Sequence, residues 1–435
     1  MKNLSRRAFL KNAAVAAAAP YIVPASVFGK HSPAERITMG LIGCGGQGNS
    51  DMGGFLGMAD VQVVAVCDVD SNNVEKTKKR VEDHYAKKND NEYKGCTGFK
   101  DFRELCARKD IDAIIVATPD HWHYLTAVEG VRNKKHVYGE KPITHTWIEA
   151  KHLVDAVKKN DVIWQTGSQQ RSEFTFLRGA ELVRNGVLGK ITSVEVGLPQ
   201  GRLGHKKDDA IVSDPPPNLD YDLWCGPAPK LPYMKSRLHF HWRWNLAFGG
   251  GQLLDWICHH NDIAHWGLDE DLGGPLEVEA TDFKYPEDKT VWDAPGEYRI
   301  TCKYAKDIKL TIASDNFVKH GCKWIGEKGW VISNRGKIEA SDPEWTKKEF
   351  DPGPVKLYRT PGHHRNFIES IKSHKPAICP VEVSHHSITP GHLGYVSDKL
   401  KRKLKWDPKA EKFIGDDEAQ KLIEKIEYRE PWKFV

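Results

Sequence analysis

Three short stretches of this chain combine residue types and spacings that could do chemistry. Gly43-Cys44-Gly45-Gly46-Gln47-Gly48 has the glycine spacing of a turn that lets backbone approach a pyrophosphate. Glu140-Lys141-Pro142 puts an ammonium just past the strand-like run His136-Val137-Tyr138-Gly139. Gly249-Gly250-Gly251 opens a helical pattern in which Asp255 and His259 stand four residues apart, so both project from one face. Oxidising a secondary alcohol sends a hydride to a nicotinamide and needs a group for the hydroxyl proton, a task for a lysine or a histidine. A carboxylate beside the imidazole is expected to favour its charged form, and partial burial is expected to lower the Lys141 pKa. His260 adjoins His259 but lies about 100° around the helix, so the proton role falls to His259.

The elements that must position these groups follow a βαβ rhythm. Ile37–Ile42 reads as a strand entering the glycine turn, and Val61–Cys67 reads as a second strand ending in Asp68, twenty residues beyond Gly48. The glycines permit the tight turn, the helix N-terminus takes the pyrophosphate charge, and the strand-end carboxylate accepts from ribose hydroxyls. Asp68, with Asp70 nearby and no arginine in Ser71-Asn72-Asn73, points to NAD over NADP. A further strand, Asp112–Ala117, breaks at Thr118-Pro119-Asp120-His121-Trp122-His123. Ligands sit at such carboxyl ends, so this turn is expected to border the nicotinamide ribose. His121 and His123 read as capping and turn-packing groups there, with catalysis the alternative. A helix is expected from near Thr146.

These motifs together resemble the glucose-fructose oxidoreductase / inositol dehydrogenase / rhizopine catabolism (Gfo/Idh/MocA) family, from about Glu35 to the C-terminus. The resemblance rests on the fingerprint, on Glu140-Lys141-Pro142 and on Gly249–Asp262, whose core is Asp255-x-x-x-His259. It implies that Lys141, Asp255 and His259 are catalytic. Taken singly, Lys141 reads as a surface lysine and the helix histidines as core; both motifs in the family's order outweigh that reading. The turn Gln165–Arg171 is implied to face nicotinamide and substrate, with Gln169 on the cofactor and Arg171 on the substrate. His363–Ile368 resembles the family's returning substrate segment and nominates His364. Many members carry glycine where this chain has Ile257, which bears on pocket shape. The cofactor set is therefore Gly43, Gly45, Gly46, Gln47, Gly48, Asp68, Thr118, Pro119, His121, His123, Glu140, Lys141 and Gln169.

The expected fold is α/β: a doubly wound parallel Rossmann sheet over 35–166, then an α+β domain over 167–435 whose open, mostly antiparallel sheet the family uses for oligomerisation, as dimer or tetramer. Segments 277–283, 296–304, 307–314 and Val331–Ser333 read as its strands. Residues 200–247 form a proline- and aromatic-rich excursion, the signature of a functional loop or an interface. It ends in His239-Phe240-His241-Trp242-Arg243-Trp244, from which Trp242 and Arg243 are candidate sugar contacts; a subunit contact is the alternative. Fourteen tryptophans are in part core and in part walls on which sugar rings could stack.

Hydrophobic residues at 40% and charged ones at 28% fit a globular chain. Ser5-Arg6-Arg7-Ala8-Phe9-Leu10-Lys11 before an alanine-rich run has the layout of a twin-arginine (Tat) export signal over 1–29. Its removal would take the formal charge from +5 to +1, because Lys2, Arg6, Arg7 and Lys11 go with it, leaving no electrostatic case for nucleic acid. Nothing later is apolar enough to span a membrane. The nine cysteines show no CxxC or zinc-finger spacing, so neither a metal site nor a disulfide framework is expected. The expected function is a periplasmic NAD-dependent oxidoreductase acting on a sugar, glycoside or cyclitol hydroxyl, its cofactor loaded before export and held tightly. A redox-neutral glycoside hydrolase is the nearer alternative, although relatives of that kind typically carry a Tyr motif in place of Asp-x-x-x-His. A non-catalytic carbohydrate-binding protein is the remoter one.

Overall fold

The computed structural model describes residues 36–89 and 92–435, so the export signal expected over 1–29 lies outside the described residues. The first half alternates strand and helix: β1 (Ile37–Ile42), α1 (Gly46–Leu56), β2 (Val61–Cys67), α2 (Ser71–Asn89), β3 (Thr97–Phe99), α3 (Phe102–Ala107), β4 (Ala113–Val116), α4 (Asp120–Arg132), β5 (His136–Gly139), α5 (Trp147–Asn160) and β6 (Trp164–Thr166). The six strands form one parallel sheet in the order β3-β2-β1-β4-β5-β6. Every residue of β2 is buried, which explains its unbroken run Val-Gln-Val-Val-Ala-Val-Cys: helices cover both faces. Helix α5 starts where Thr146 and Glu149 form a reciprocal capping box.

The strand order reverses between β1 and β4, where such sheets bind ligands. Gly43 leaves β1 at φ +96°, and a Cβ there would lie 2.5 Å from the Ala117 carbonyl oxygen at the end of β4. Gly48 is equally constrained, since its Cβ would meet the Gly43 carbonyl at 1.9 Å. Both glycines therefore let backbone pack on backbone.

The second half adds α6 (Phe174–Arg184), β7 (Ile191–Leu198), α7 (Tyr221–Cys225), α8 (Gly251–Leu268), β8 (Glu277–Lys284), β9 (Glu297–Lys303), β10 (Lys309–Ser314), β11 (Gly321–Gly326), β12 (Gly329–Asn334), β13 (Lys337–Ala340), α9 (His363–Ser373), α10 (Val381–Leu400), β14 (Leu404–Asp407), β15 (Lys412–Phe413) and α11 (Asp417–Ile423). Its strands make a nine-stranded open sheet ordered β13-β12-β11-β7-β10-β9-β8-β14-β15, antiparallel except for the parallel pair β7–β10. The α/β architecture is as expected, while β7, β11, β13, β14 and β15 go beyond the strands read from the sequence. Helix α8 begins at the third glycine and packs against α6, α10 and β7, so almost every residue of it is buried. Among the described residues no helix is long and apolar enough to cross a membrane.

Gly43→Ala combines an unfavourable φ with a backbone clash, so it is expected to cost about 2 kcal/mol or more, read as a lower urea midpoint at unchanged m value.

Candidate active site

A cleft of about 580 Å³ opens at the carboxyl ends of β1, β2, β4 and β5. Gly43, Gly45, Gly46, Gln47, Asp68, Thr118, Pro119, His123, Glu140 and Lys141 line it, so most of the cofactor set converges there. The cleft's chemistry suits a dinucleotide. A Cβ at Gly45 or Gly46 would meet nothing within 4 Å, and no side chain caps the N-terminus of α1. The Thr118 hydroxyl is buried with no partner among the described residues. Asp68 is oriented by its own turn, accepting from the amides of Cys44 at 2.8 Å and Asp70 at 2.9 Å.

Two histidines of the β4–α4 turn act on backbone. His123 places its ring nitrogens 2.5 Å from the Pro142 carbonyl and 2.7 Å from the Thr118 carbonyl. His121 does not reach the cleft: its nitrogens lie 3.1 and 2.9 Å from the carbonyls of Phe248 and Trp224. Burial pushes both rings down, to about 4 for His123 and about 3 for His121, so both are neutral turn-packing groups. Gly48 likewise serves packing and is absent from the lining.

Lys141 and Asp255 meet at this cleft. The Lys141 Nζ donates to Asp255 Oδ1 at 2.8 Å, with the two side chains 14% and 10% exposed, and the Arg243 Nε stands 3.4 Å from the same oxygen. Burial works against the Lys141 charge, but Asp255 and then Glu140 outweigh it and hold the ammonium above its ordinary value. This reverses the expected downward shift. For Asp255, burial is in turn outweighed by Lys141 and Arg243, which keep the carboxylate ionised. His259, one turn further along α8, is buried with its Nδ1 unpartnered among the described residues. Burial and then the Lys141 charge hold it well below the usual imidazole range. The expectation that Asp255 would favour a charged imidazole fails because Asp255 is spent on Lys141 and Arg243.

Glu140 turns away from solvent toward Asp51 on α1. Gln47 Nε2 donates to Asp51 at 3.1 Å and to Glu140 at 3.3 Å, and Gln169 Nε2 donates to Glu140 at 3.3 Å. Burial drives both carboxyls upward, and Asp51 adds to the rise at Glu140, so the pair retains a proton.

Two nominated substrate residues lie elsewhere. Arg171 is 2% exposed, with Nε 2.7 Å from Asp262 and Nη2 2.7 Å from Asp271. A guanidinium so engaged is a core ion pair rather than a sugar contact. His364 stacks on Tyr138 and abuts Phe55, behind Asp51 rather than in the cleft. Trp242 does line the cleft, its ring 4.6 Å from the Arg243 guanidinium.

Asp120, in the turn Thr118–His123, is a site group that no spacing in the sequence marks. This carboxyl is fully buried at the start of α4, accepts from the Gly250 amide at 3.2 Å, and is pushed up to about 8 by burial and then by Asp255. Lining residues from the excursion, such as Leu219, Leu223 and Phe240, were also missed one by one. Among the described residues no group of histidine, cysteine and acid side chains could hold a metal ion.

The fold and the cleft define an NAD-binding Rossmann domain joined to an oxidoreductase α/β domain. Residues 37–168 match the family model described as oxidoreductase family, NAD-binding Rossmann fold, and residues 179–434 match the oxidoreductase family C-terminal alpha/beta domain. The chain belongs to the Gfo/Idh/MocA oxidoreductase family. Among curated proteins it is 31% identical over 213 residues to glycosyl hydrolase family 109 protein 1 of Shewanella sp. (strain ANA-3), covering 44% of this chain and 45% of that protein. It thus spans about half the length of that relative. An uncharacterized oxidoreductase of Schizosaccharomyces pombe is 32% identical over 120 residues, 28% of this chain and 32% of that one. The WlbA dehydrogenase from Bordetella pertussis, solved with NADH and UDP-GlcNAcA, shares the fold with a TM-score of 0.62 at 18% identity, over 86% of this chain and 99% of that one. GenD2 from gentamicin A biosynthesis, solved with NAD, does so at 0.62 and 17%, over 89% and 99%.

Arg171→Ala would leave Asp262 buried without its counter-charge, so it is expected to cost about 3–5 kcal/mol in urea unfolding.

Proposed function

We propose that this protein is an exported, NAD-dependent oxidoreductase that moves hydride between a secondary hydroxyl of a sugar, glycoside or cyclitol and a tightly held nicotinamide. The observation that carries the reading is the Lys141–Asp255 pair, whose lysine lines the dinucleotide cleft, with neutral His259 one turn along α8 from Asp255. When bound, the nicotinamide supplies the hydride acceptor and donor. His259 takes the hydroxyl proton, and the Lys141 ammonium, aimed by Asp255, stabilises charge developing on the oxygen. The preference for NAD is supported by Asp68, and by Lys100, whose ammonium at that end of the cleft is paired with Asp220 at 2.8 Å. The twin-arginine pattern supports periplasmic delivery through the Tat machinery, with the cofactor loaded first, and the open nine-stranded sheet supports assembly as a homo-oligomer.

Release of the nucleotide from denatured protein, its identification, and a screen of sugars for absorbance change of the bound cofactor test this reading. Failure to bind any nicotinamide dinucleotide would sink it. The glycosyl hydrolase family 109 relatives support a second reading, oxidation, elimination and re-reduction within one cycle. Aglycone release from nitrophenyl glycosides without net NADH would select it.

Lys141→Ala is expected to lower turnover roughly 10²–10⁴-fold while bound nucleotide is retained. The active form has His259 neutral and Lys141 charged. A depressed imidazole protonates only below its ordinary 6.5, and a raised ammonium deprotonates only above its ordinary 10.5, so between those limits neither His259 nor Lys141 adds a limb to kcat for alcohol oxidation, and any limb there belongs to the raised carboxyls Asp120, Asp51 and Glu140. A His259→Asn variant that keeps the wild-type kcat across that range would remove His259 from the base role.

A further inference from the structure

Between β7 and α8 the chain crosses from the second domain onto the cofactor domain and back. Leu219 forms an antiparallel bridge with Asp70, the Ser71 amide donates to the Asn218 carbonyl at 2.9 Å, and the Asp220 amide donates to the Val69 carbonyl at 3.0 Å. Asn218 Nδ2 donates to Asp70 at 2.8 Å, and Lys100 pairs with Asp220. The crossing falls where the dinucleotide cleft meets a second cavity of about 770 Å³; Asp68, Val69, Lys100 and Leu219 line both. Leu223, Trp224, Phe240 and Trp242 then continue the lining of the cleft.

The far end of this crossing is fastened by residues more than two hundred positions away in sequence. Arg429 donates from Nε to the carbonyls of Gly226 at 3.1 Å and Ala228 at 3.2 Å, and from Nη2 to the Asp222 carbonyl at 2.8 Å. Its Nη1 pairs with the Asp222 carboxylate at 3.0 Å, and its amide donates to the Pro227 carbonyl at 2.8 Å. Trp432 packs edge-on to Trp122 of α4 at 4.7 Å, and Trp122 Nε1 donates to the carbonyls of Leu223 and Trp224. Gly226 sits so close that a Cβ would lie 2.1 Å from the Trp122 ring. Five polar contacts from one guanidinium-bearing residue to one short stretch are more than a surface turn needs.

We infer that residues 217–243 are a strap forming the outer wall of the dinucleotide site, and that Arg429 and Trp432 latch it, so that the nucleotide leaves only when the latch opens. The inference rests on the cleft's being a nicotinamide-dinucleotide site. Releasing the strap must break the Arg429 contacts and expose the Trp122–Trp432 face, whereas the glycine turn, α1 and Asp68 stay in place as parts of the cofactor domain. The latch therefore governs the dissociation rate more than the chemistry.

The test compares the full-length wild type with Arg429→Ala, Arg429→Lys and, at the other end of the strap, Asp220→Asn. Nucleotide per purified chain is measured, and NADH dissociation is followed by its fluorescence during a chase with excess NAD. Arg429→Ala is expected to release NADH roughly tenfold faster or more, with Arg429→Lys intermediate and Asp220→Asn also accelerated. Amide hydrogen exchange over 217–228 should rise in Arg429→Ala. A folded Arg429→Ala, judged by near-UV circular dichroism, that releases NADH at the wild-type rate overturns the latch; should that variant not fold, an unaccelerated Asp220→Asn does so. Wild type that binds NADH but exchanges it rapidly overturns the strap and leaves the dinucleotide reading standing. Wild type that binds no dinucleotide overturns both.

Discussion

Taking an ammonium out of water costs several kcal/mol unless a counter-charge meets it, and Lys141 is buried where the parallel sheet faces helix α8. Its counter-charge, Asp255, belongs to the second domain, so the pair forms only when β5 and α8 are brought together. The demands on the surrounding chain follow from that. Helix α8 must begin at Gly251, whose φ of +66° turns the chain inward from the Gly249–Gly250 approach. Those two glycines pack on Trp242 and Leu254 side chains with no room for a Cβ. Asp120, under the same turn, stays protonated because it is buried and because Asp255 already carries the charge that Lys141 requires.

The protonation pattern has the same origin. A low-dielectric pocket tolerates a small number of charges, and they are assigned by who is closest to whom. Lys141 and Asp255 keep theirs, whereas His259 is left neutral, and Asp51 and Glu140, to both of which the Gln47 amide donates, retain one proton between them. The i, i+4 spacing of Asp255 and His259 put both on one face, as read from the sequence, but spacing cannot reveal a third group that intercepts the carboxylate.

Much of the fold was legible for local reasons. The largely apolar run of β2, the capping box at Thr146 and the glycines before α8 each declare a local structure without help from distant residues. The cofactor wall formed by Gly43–Gln47, Asp68 and Thr118 follows from the same locality. What was not legible is tertiary. Arg171, which the family resemblance put on the substrate, is claimed instead by Asp262 and Asp271, 91 and 100 residues away and invisible to local reading. Residues 200–247 announced themselves as an irregular excursion, yet nothing periodic in them told which surface they cover. Strands such as β11, where Lys323 sits between Cys322 and Trp324, lack the apolar density that marked their neighbours.

All nine cysteines lie buried as free thiols, and burial raises every one of them above its ordinary pKa. The nucleophilic thiolate is thus scarce in the folded chain and abundant in the unfolded one. Oxidants and alkylating reagents consequently see this protein as inert until it opens, and then see nine targets at once. An unfolded copy in an oxidising environment would cross-link or oxidise at these thiols, so the burial that silences the sulfurs also guards the fold against being locked open.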